Sequence, residues 1–101
     1  MKKIILCCAA GMSTSMLVQK MKAEAKKREL EIDIQAIPVA EFEQVVAQAD
    51  IILLGPQVKY EYSRLSAIAT PLGKPVAVID MLDYGTMRGD KVLDKALSLI
   101  S

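Results

Sequence analysis

Three short unbroken apolar runs, Ile4-Ile5-Leu6-Cys7, Ile51-Ile52-Leu53-Leu54 and Val76-Ala77-Val78-Ile79, limit what this chain can fold into more than any other feature. Runs of this length with no polar alternation belong to strands covered on both faces, as in parallel sheets. The segments between them carry a different rhythm. Leu17, Val18, Met21 and Ala25 recur at helical spacing, with Gln19, Lys20, Glu24 and Lys27 on the opposite side. Pro38 opens a second, short helix with Phe42, Val45, Val46 and Ala49 turned inward, Tyr62 to Ala69 reads as a third, and Val92, Leu93, Ala96, Leu97 and Ile100 mark the last. Ser13 or a neighbour is the expected cap of the first helix.

One further strand breaks the apolar rule. Glu31-Ile32-Asp33-Ile34-Gln35-Ala36 alternates polar and apolar residues, which places it at a sheet edge with one solvated face. Strand–helix alternation with right-handed crossovers then predicts a four-stranded parallel sheet, order 2-1-3-4, doubly wound with helices on both faces. At 101 residues the chain has material for a single domain, 1–101, and one core. With 52% hydrophobic but only 4% aromatic residues, that core is aliphatic.

In such a sheet, ligands bind at the strands' carboxyl ends where the winding reverses, here between strands one and three. Two segments meet there: Cys8-Ala9-Ala10-Gly11-Met12-Ser13-Thr14-Ser15 after strand one, and Gly55-Pro56-Gln57 after strand three. The first is a loop of small and hydroxyl residues running into a helix N-terminus. Backbone N–H groups converge there with the helix dipole behind them, which makes an anion site. Gly11 allows backbone angles closed to other residues, Ala9 and Ala10 keep the approach open, and Ser13, Thr14 and Ser15 add hydroxyl donors. Asp80, Asp83, Tyr84, Gly85 and Gly89 read as a polar turn, whose aspartates form local hydrogen bonds rather than supply an acid.

The chain contains no histidine, which removes the commonest metal ligand and general base. Its two cysteines, Cys7 and Cys8, are adjacent and do not form a disulfide framework. Cys7 is read as a buried strand residue. Cys8, at the mouth of an anion cradle, is a nucleophile placed to accept a phosphoryl group, because such a cradle favours thiolate and then binds the three terminal oxygens of the adduct. A cysteine phosphatase would need an arginine six residues after the nucleophile; here that position is Thr14. Walker and dinucleotide-binding glycine patterns are absent. A loop without arginine or histidine gives water little assistance, so an adduct would persist until an acceptor arrives. Thirteen basic and twelve acidic residues leave a net charge of +1, which gives no global attraction to nucleic acid. No apolar run approaches the roughly 18 residues of a membrane span, and the start lacks the length of a signal peptide, so the expected location is cytoplasmic.

The string Cys8-Ala9-Ala10-Gly11-Met12-Ser13-Thr14-Ser15, with Gly55-Pro56-Gln57, Ile79-Asp80 and Tyr84-Gly85, resembles the lactose/cellobiose IIB family of the sugar phosphotransferase system over nearly the whole chain. The resemblance implies a IIB domain with a phosphatase-like loop after strand one and no cofactor or metal. It implies a phosphotransferase in which Cys8 takes phosphate from a phosphohistidine of the IIA component. Cys8 then passes it to a disaccharide of the cellobiose, chitobiose or lactose class brought in by the membrane component IIC. Phosphate binding falls on Ala9 to Ser15, with Gln57 and Tyr84 as loop supports by position. Cys7 stands where this family leads one to expect an apolar or aromatic residue, and the spacing to Gly11 assigns the modification to Cys8. Met12, Met16 and Tyr60 are candidates for an adaptable apolar docking rim. The competing readings are a small cysteine phosphatase or arsenate-reductase-like enzyme, and a noncovalent phosphate-binding module.

Overall fold

The computed structural model describes residues 2–8 and 12–100, with the backbone alone at 12–14. Its four strands are β1 (Lys2–Cys8), β2 (Ile32–Pro38), β3 (Ile51–Leu54) and β4 (Val76–Val78), all parallel in the order β2-β1-β3-β4. The helices are α1 (Met12–Lys27), α2 (Phe42–Val45), α3 (Tyr62–Ala69), α4 (Met81–Gly85) and α5 (Gly89–Leu99). Turns of 3-10 helix flank α2 and lead from β3 into α3.

The runs Ile4–Cys7 and Ile51–Leu54 sit in the middle of the sheet because both faces are covered, whereas Val76–Val78 forms the half-buried edge strand β4. In a strand, alternate side chains point to opposite faces. Ile4 and Leu6 of β1 and Ile51 and Leu53 of β3 join Leu17, Val18, Met21, Val92, Leu93 and Ala96 in a core under α1 and α5. Ile5 and Cys7, with Ile52 and Leu54, face the other way, into a core with Phe42, Val46, Leu65 and Ala69. The order explains the split: β1 to β2 runs in one direction across the sheet and β2 to β3 to β4 in the other, so right-handed crossovers place α1 on one face and α2 and α3 on the other.

Strand ends differ from expectation in ways that matter for the site. β1 includes Cys8, which pairs with Pro38 of β2, and α1 already begins at Met12. The expected loop from Cys8 to Ser15 is thus shorter: Ser13, Thr14 and Ser15 lie in the first turn of α1, where the carbonyls enter the helix and the N–H groups stay without intrahelical acceptors, and Ser13 is inside the helix rather than its cap. Pro38 ends β2 instead of opening a helix, and the second helix is a chain of single turns, Val39 to Gln48. The expected polar turn after β4 is the short helix α4. Asp80 initiates it by accepting from the backbone N–H of Leu82 at 2.8 Å and Asp83 at 3.3 Å.

At the opposite end of the strands, where β1 and β3 begin, the sheet is clamped. The Lys3 N–H donates to Asp50 Oδ2 at 2.7 Å while the Asp50 N–H donates to the Lys3 carbonyl at 2.8 Å. α5 approaches α1 closely enough that a Cβ on Gly89 would lie 2.7 Å from the carbonyl carbon and the Cβ of Lys20. Arg28 near the end of α1 joins the two helices by pairing with Asp94 at 2.6 Å as well as with Glu24 at 2.7 Å.

Candidate functional site

Cys7, Leu54 and Val78 form one row across the sheet, because Cys7 pairs with Leu54 and Leu54 with Val78. Two backbone bonds continue the ladder one step past that row: the Gly55 N–H donates to the Cys7 carbonyl at 2.9 Å, and the Ile79 N–H to the Leu54 carbonyl at 2.8 Å. β1, β3 and β4 therefore end at one level, and Cys8, Gly55 and Ile79 stand side by side where the chain leaves the sheet. The winding reverses between β1 and β3, at the position where doubly wound sheets bind ligands.

The two cysteines are separated by strand geometry. Cys7 points into the α2–α3 core, fully buried, and burial, with the neighbouring Cys8 adding to it, pushes its thiol up to about 12 from an ordinary 9.0. It stays a neutral thiol at physiological pH. Cys8 has the opposite parity and shares the face of Ile4 and Leu6. It too is buried, with its Sγ 4.0 Å from the Ile37 carbonyl oxygen, a weak sulfur contact. Neighbours in an extended strand turn their sulfurs to opposite faces, so no bond joins them, and both cysteines are free.

Four residues beyond Cys8, α1 presents its N-terminus. The first-turn N–H groups of a helix lack intrahelical acceptors and carry the positive end of its dipole. No acidic residue lies in that turn to neutralise it. Of the expected phosphate-binding residues, Ala9, Ala10 and Gly11 lie outside the described residues, as do the side chains of Met12, Ser13 and Thr14. Ser15 is exposed.

Gln57 and Tyr84 are brought together: Gln57 Nε2 donates to the Tyr84 hydroxyl at 3.0 Å. Exposed apolar side chains accompany these elements. Met16 and Tyr60 are both mostly exposed, as a docking rim requires. α4 adds Met81 and Leu82, at 67% and 71% exposure, which the sequence reading missed because it took their segment for a polar turn. Their signal was Asp80 placed as a cap before a helix-compatible Met-Leu-Asp-Tyr. Among the described residues no cluster of three metal-binding side chains occurs, and no helix is long and apolar enough to cross a membrane.

A cysteine closing the first strand of a 2-1-3-4 parallel sheet, four residues before the N-terminus of the following helix, marks an α/β protein of the doubly wound class. The family described as "PTS system, Lactose/Cellobiose specific IIB subunit" matches residues 3–95, and the chain belongs to it. It is a component of a sugar phosphotransferase system. Curated relatives include the PTS system galactose-specific EIIB component of Lactococcus lactis subsp. cremoris, 43% identical over 99% of this chain and 97% of that protein. Another is the PTS system oligo-beta-mannoside-specific EIIB component of Bacillus subtilis, 42% identical with the same coverage. Among solved structures, the cellobiose-specific IIB component of Borrelia burgdorferi is 42% identical with a TM-score of 0.82, covering 98% of this chain and 91% of that one. The lactose-specific IIB domain of Streptococcus pneumoniae superposes with a TM-score of 0.89 over 99% and 98% of the two chains, at 20% identity, and so attests the fold.

Proposed function

We propose that this protein carries a phosphoryl group on Cys8 between the IIA phosphohistidine and a sugar at the membrane component IIC, within the cytoplasm. In the first step the Cys8 sulfur, as thiolate, attacks the phosphorus of the phosphoimidazole. The N–P bond breaks as the S–P bond forms, and the imidazole left behind takes up a proton. In the second step a sugar hydroxyl oxygen attacks; the S–P bond breaks, the thiolate returns, and the hydroxyl proton passes to a base outside this chain. The sugar is a disaccharide of the cellobiose, chitobiose or lactose class, in keeping with the cellobiose and oligo-β-mannoside named for two relatives, while the galactose named for a third is a monosaccharide.

One observation carries the reading: Cys8 ends β1 at the switch point, four residues before an un-neutralised helix N-terminus, while its neighbour Cys7 is held as an inert thiol. The backbone of Ala9 to Ser15 would then hold the phosphoryl oxygens. Since Cys8 is buried, acceptance requires its sulfur to turn out of the weak contact with Ile37. With no histidine in the chain, neither lysine nor arginine in the segments Gly55–Gln57 and Ile79–Gly85, and Asp80 engaged in capping α4, water gets little help in attacking the adduct. Persistence of this kind suits a carrier, not a phosphatase. IIA and IIC must both reach the Cys8 edge, so they bind in turn, and Met16, Tyr60, Met81 and Leu82 offer them apolar contact.

The test is intact mass after incubation with phosphoenolpyruvate and the upstream carriers, for wild type, Cys7→Ser and Cys8→Ser. One phosphate is expected on wild type and Cys7→Ser and none on Cys8→Ser. An unmodified wild type that hydrolyses a phosphoester unaided would put the phosphatase reading in its place.

A further inference from the structure

The two edges of the sheet are closed in different ways. β2 carries polar residues of its own: Asp33 accepts from Gln35 Nε2 at 3.1 Å and pairs with Lys3 at 3.6 Å, and Pro38 ends the strand. β4, at the other edge, is Val76-Ala77-Val78 and has no polar side chain. An apolar strand with one side open is the kind of edge to which another chain adds itself.

Hydrogen-bond parity fixes which groups that open side offers. The Ile52 N–H donates to the Pro75 carbonyl at 3.0 Å and the Ile79 N–H to the Leu54 carbonyl at 2.8 Å, with Ile52 paired to Val76 and Leu54 to Val78. A parallel ladder of this register uses Pro75, Ala77 and Ile79, so Val76 and Val78 turn both their N–H and their C=O groups away from β3. Of these four groups only the Val78 carbonyl takes a partner among the described residues: Lys95 Nζ of α5 donates to it at 2.6 Å.

The four groups are self-complementary. A second copy laid antiparallel, with the two Ala77 residues opposite each other, sets each Val76 against a Val78, and opposed residues of that kind exchange both N–H···O bonds. Four backbone bonds would join the copies, and two of them need the Val78 carbonyls that Lys95 holds. Pairing would also bring both Lys95 ammonium groups to the seam and strip them of water, which is costly for a charge without a counter-ion.

We infer that Lys95 keeps the β4 edge from pairing with a second copy of this chain, and that loss of its charge and donor opens that edge to an antiparallel dimer. The guard comes from α5 because β4 itself offers none. Its effect reaches the functional end of the molecule. α4 follows β4 after only Ile79 and Asp80, so a copy seated on β4 stands beside the exposed Met81 and Leu82. By occupying one carbonyl, Lys95 leaves that flank open to other proteins. The device is independent of the carrier reading.

The experiment is sedimentation equilibrium from micromolar to millimolar protein, paired with amide hydrogen exchange at Val76 and Val78. Wild type and Lys95→Arg, which keeps a cationic donor, are expected to stay monomeric with fast exchange at both amides. Lys95→Met is expected to raise the association constant about thirtyfold, the worth of two recovered hydrogen bonds, and to slow both amides. Adding Val78→Pro to Lys95→Met removes an outward N–H that β3 does not use, a change that edge strands tolerate, and should return the protein to monomer. Circular dichroism reports the fold of each variant, and Lys95→Gln stands in for Lys95→Met if the latter unfolds. A folded, uncharged variant as monomeric as wild type overturns the inference, and so does Lys95→Arg dimerising as Lys95→Met does. A Lys95→Met dimer that survives Val78→Pro, or that leaves the Val76 and Val78 amides exchanging fast, forms elsewhere and overturns it too.

Discussion

At Gly89 the structure sets two well-measured effects against each other, and Gly89→Ala decides between them. Alanine ordinarily improves a helix by up to about 1 kcal/mol over glycine. Here the added carbon would sit 2.7 Å from the carbonyl carbon and Cβ of Lys20 and 2.8 Å from the backbone nitrogen of Met21. Carbon contacts are comfortable at about 3.5–4.0 Å, so α5 has to withdraw by roughly 0.8 Å. The obstructing atoms belong mainly to the backbone in the middle of α1, and no side-chain rotation clears them. Withdrawal loosens the seam in which Met21, Ala25, Val92, Leu93 and Ala96 are all buried. Overpacking of this kind costs about 1–3 kcal/mol, which outweighs the helix gain. We expect a net loss of about 1–2 kcal/mol, seen as a lower urea midpoint by circular dichroism with the slope unchanged, and a Tm lower by roughly 5–10 °C. Gly85 is the internal control. Nothing lies within 4 Å of a Cβ built there, so Gly85→Ala should be neutral or stabilising by up to about 1 kcal/mol. A Gly89→Ala protein as stable as wild type, beside a well-behaved Gly85→Ala, would refute the claim that α1 and α5 meet through backbone contact.

Two titrations give further tests. Cys7 is pushed up to about 12 by burial, so the folded state holds its proton more tightly than the unfolded chain. The stability this confers is complete below pH 9 and is lost as pH rises toward 12. Relative to pH 8, wild type should lose roughly 2–3 kcal/mol at pH 11 from this group, and Cys7→Val should escape that part; equal alkaline losses in the two proteins would count against it. Asp90 is drawn down to about 2, first by its hydrogen bonds with Arg88. Its contribution is present above the ordinary carboxylate range and disappears as pH falls through 2. A carboxyl NMR titration should show that low midpoint in wild type and a return toward 3.8 in Arg88→Gln, and an unchanged midpoint in the variant would assign the shift elsewhere.

The sheet was legible because its physics is local. Ile4 to Cys7 and Ile51 to Leu54 are apolar on both faces, so they had to be central, while Glu31 to Ala36 alternates and had to lie at an edge. Strand order then followed from handedness. The third helix was read at its observed bounds, Tyr62–Ala69, because Leu65 and Ala69 mark its buried side. What failed was punctuation. Pro38 suits either a helix start or the last position of an edge strand, and the pairing of β2 with β1 decided for the strand. The serines and threonine after Gly11 suit a loop or a helical first turn equally well, and α1 claimed them. α4 was missed because five residues are too few to show a period, and its two exposed apolar side chains break the rule that turns are polar. The pairing of Gln57 with Tyr84 had no sequence signal beyond position, since it depends on β3 and β4 ending level.

The central place of β1 also has a consequence for how the chain is made. Its partners come later: Lys2 pairs with Ile32, and Ile4 with Ile51, a separation of 47 residues. At ribosomal speeds of about 5–20 residues per second, one flank of this apolar strand waits roughly 2–10 s for β3. During that interval its N–H and C=O groups face outward with nothing to pair them, beside side chains that water rejects. Closing long loops before long-range contacts can reward them also slows folding of a released chain. The strand that makes the finished sheet stable is therefore, in the nascent chain, the segment most exposed to capture by chaperones or by another copy of itself.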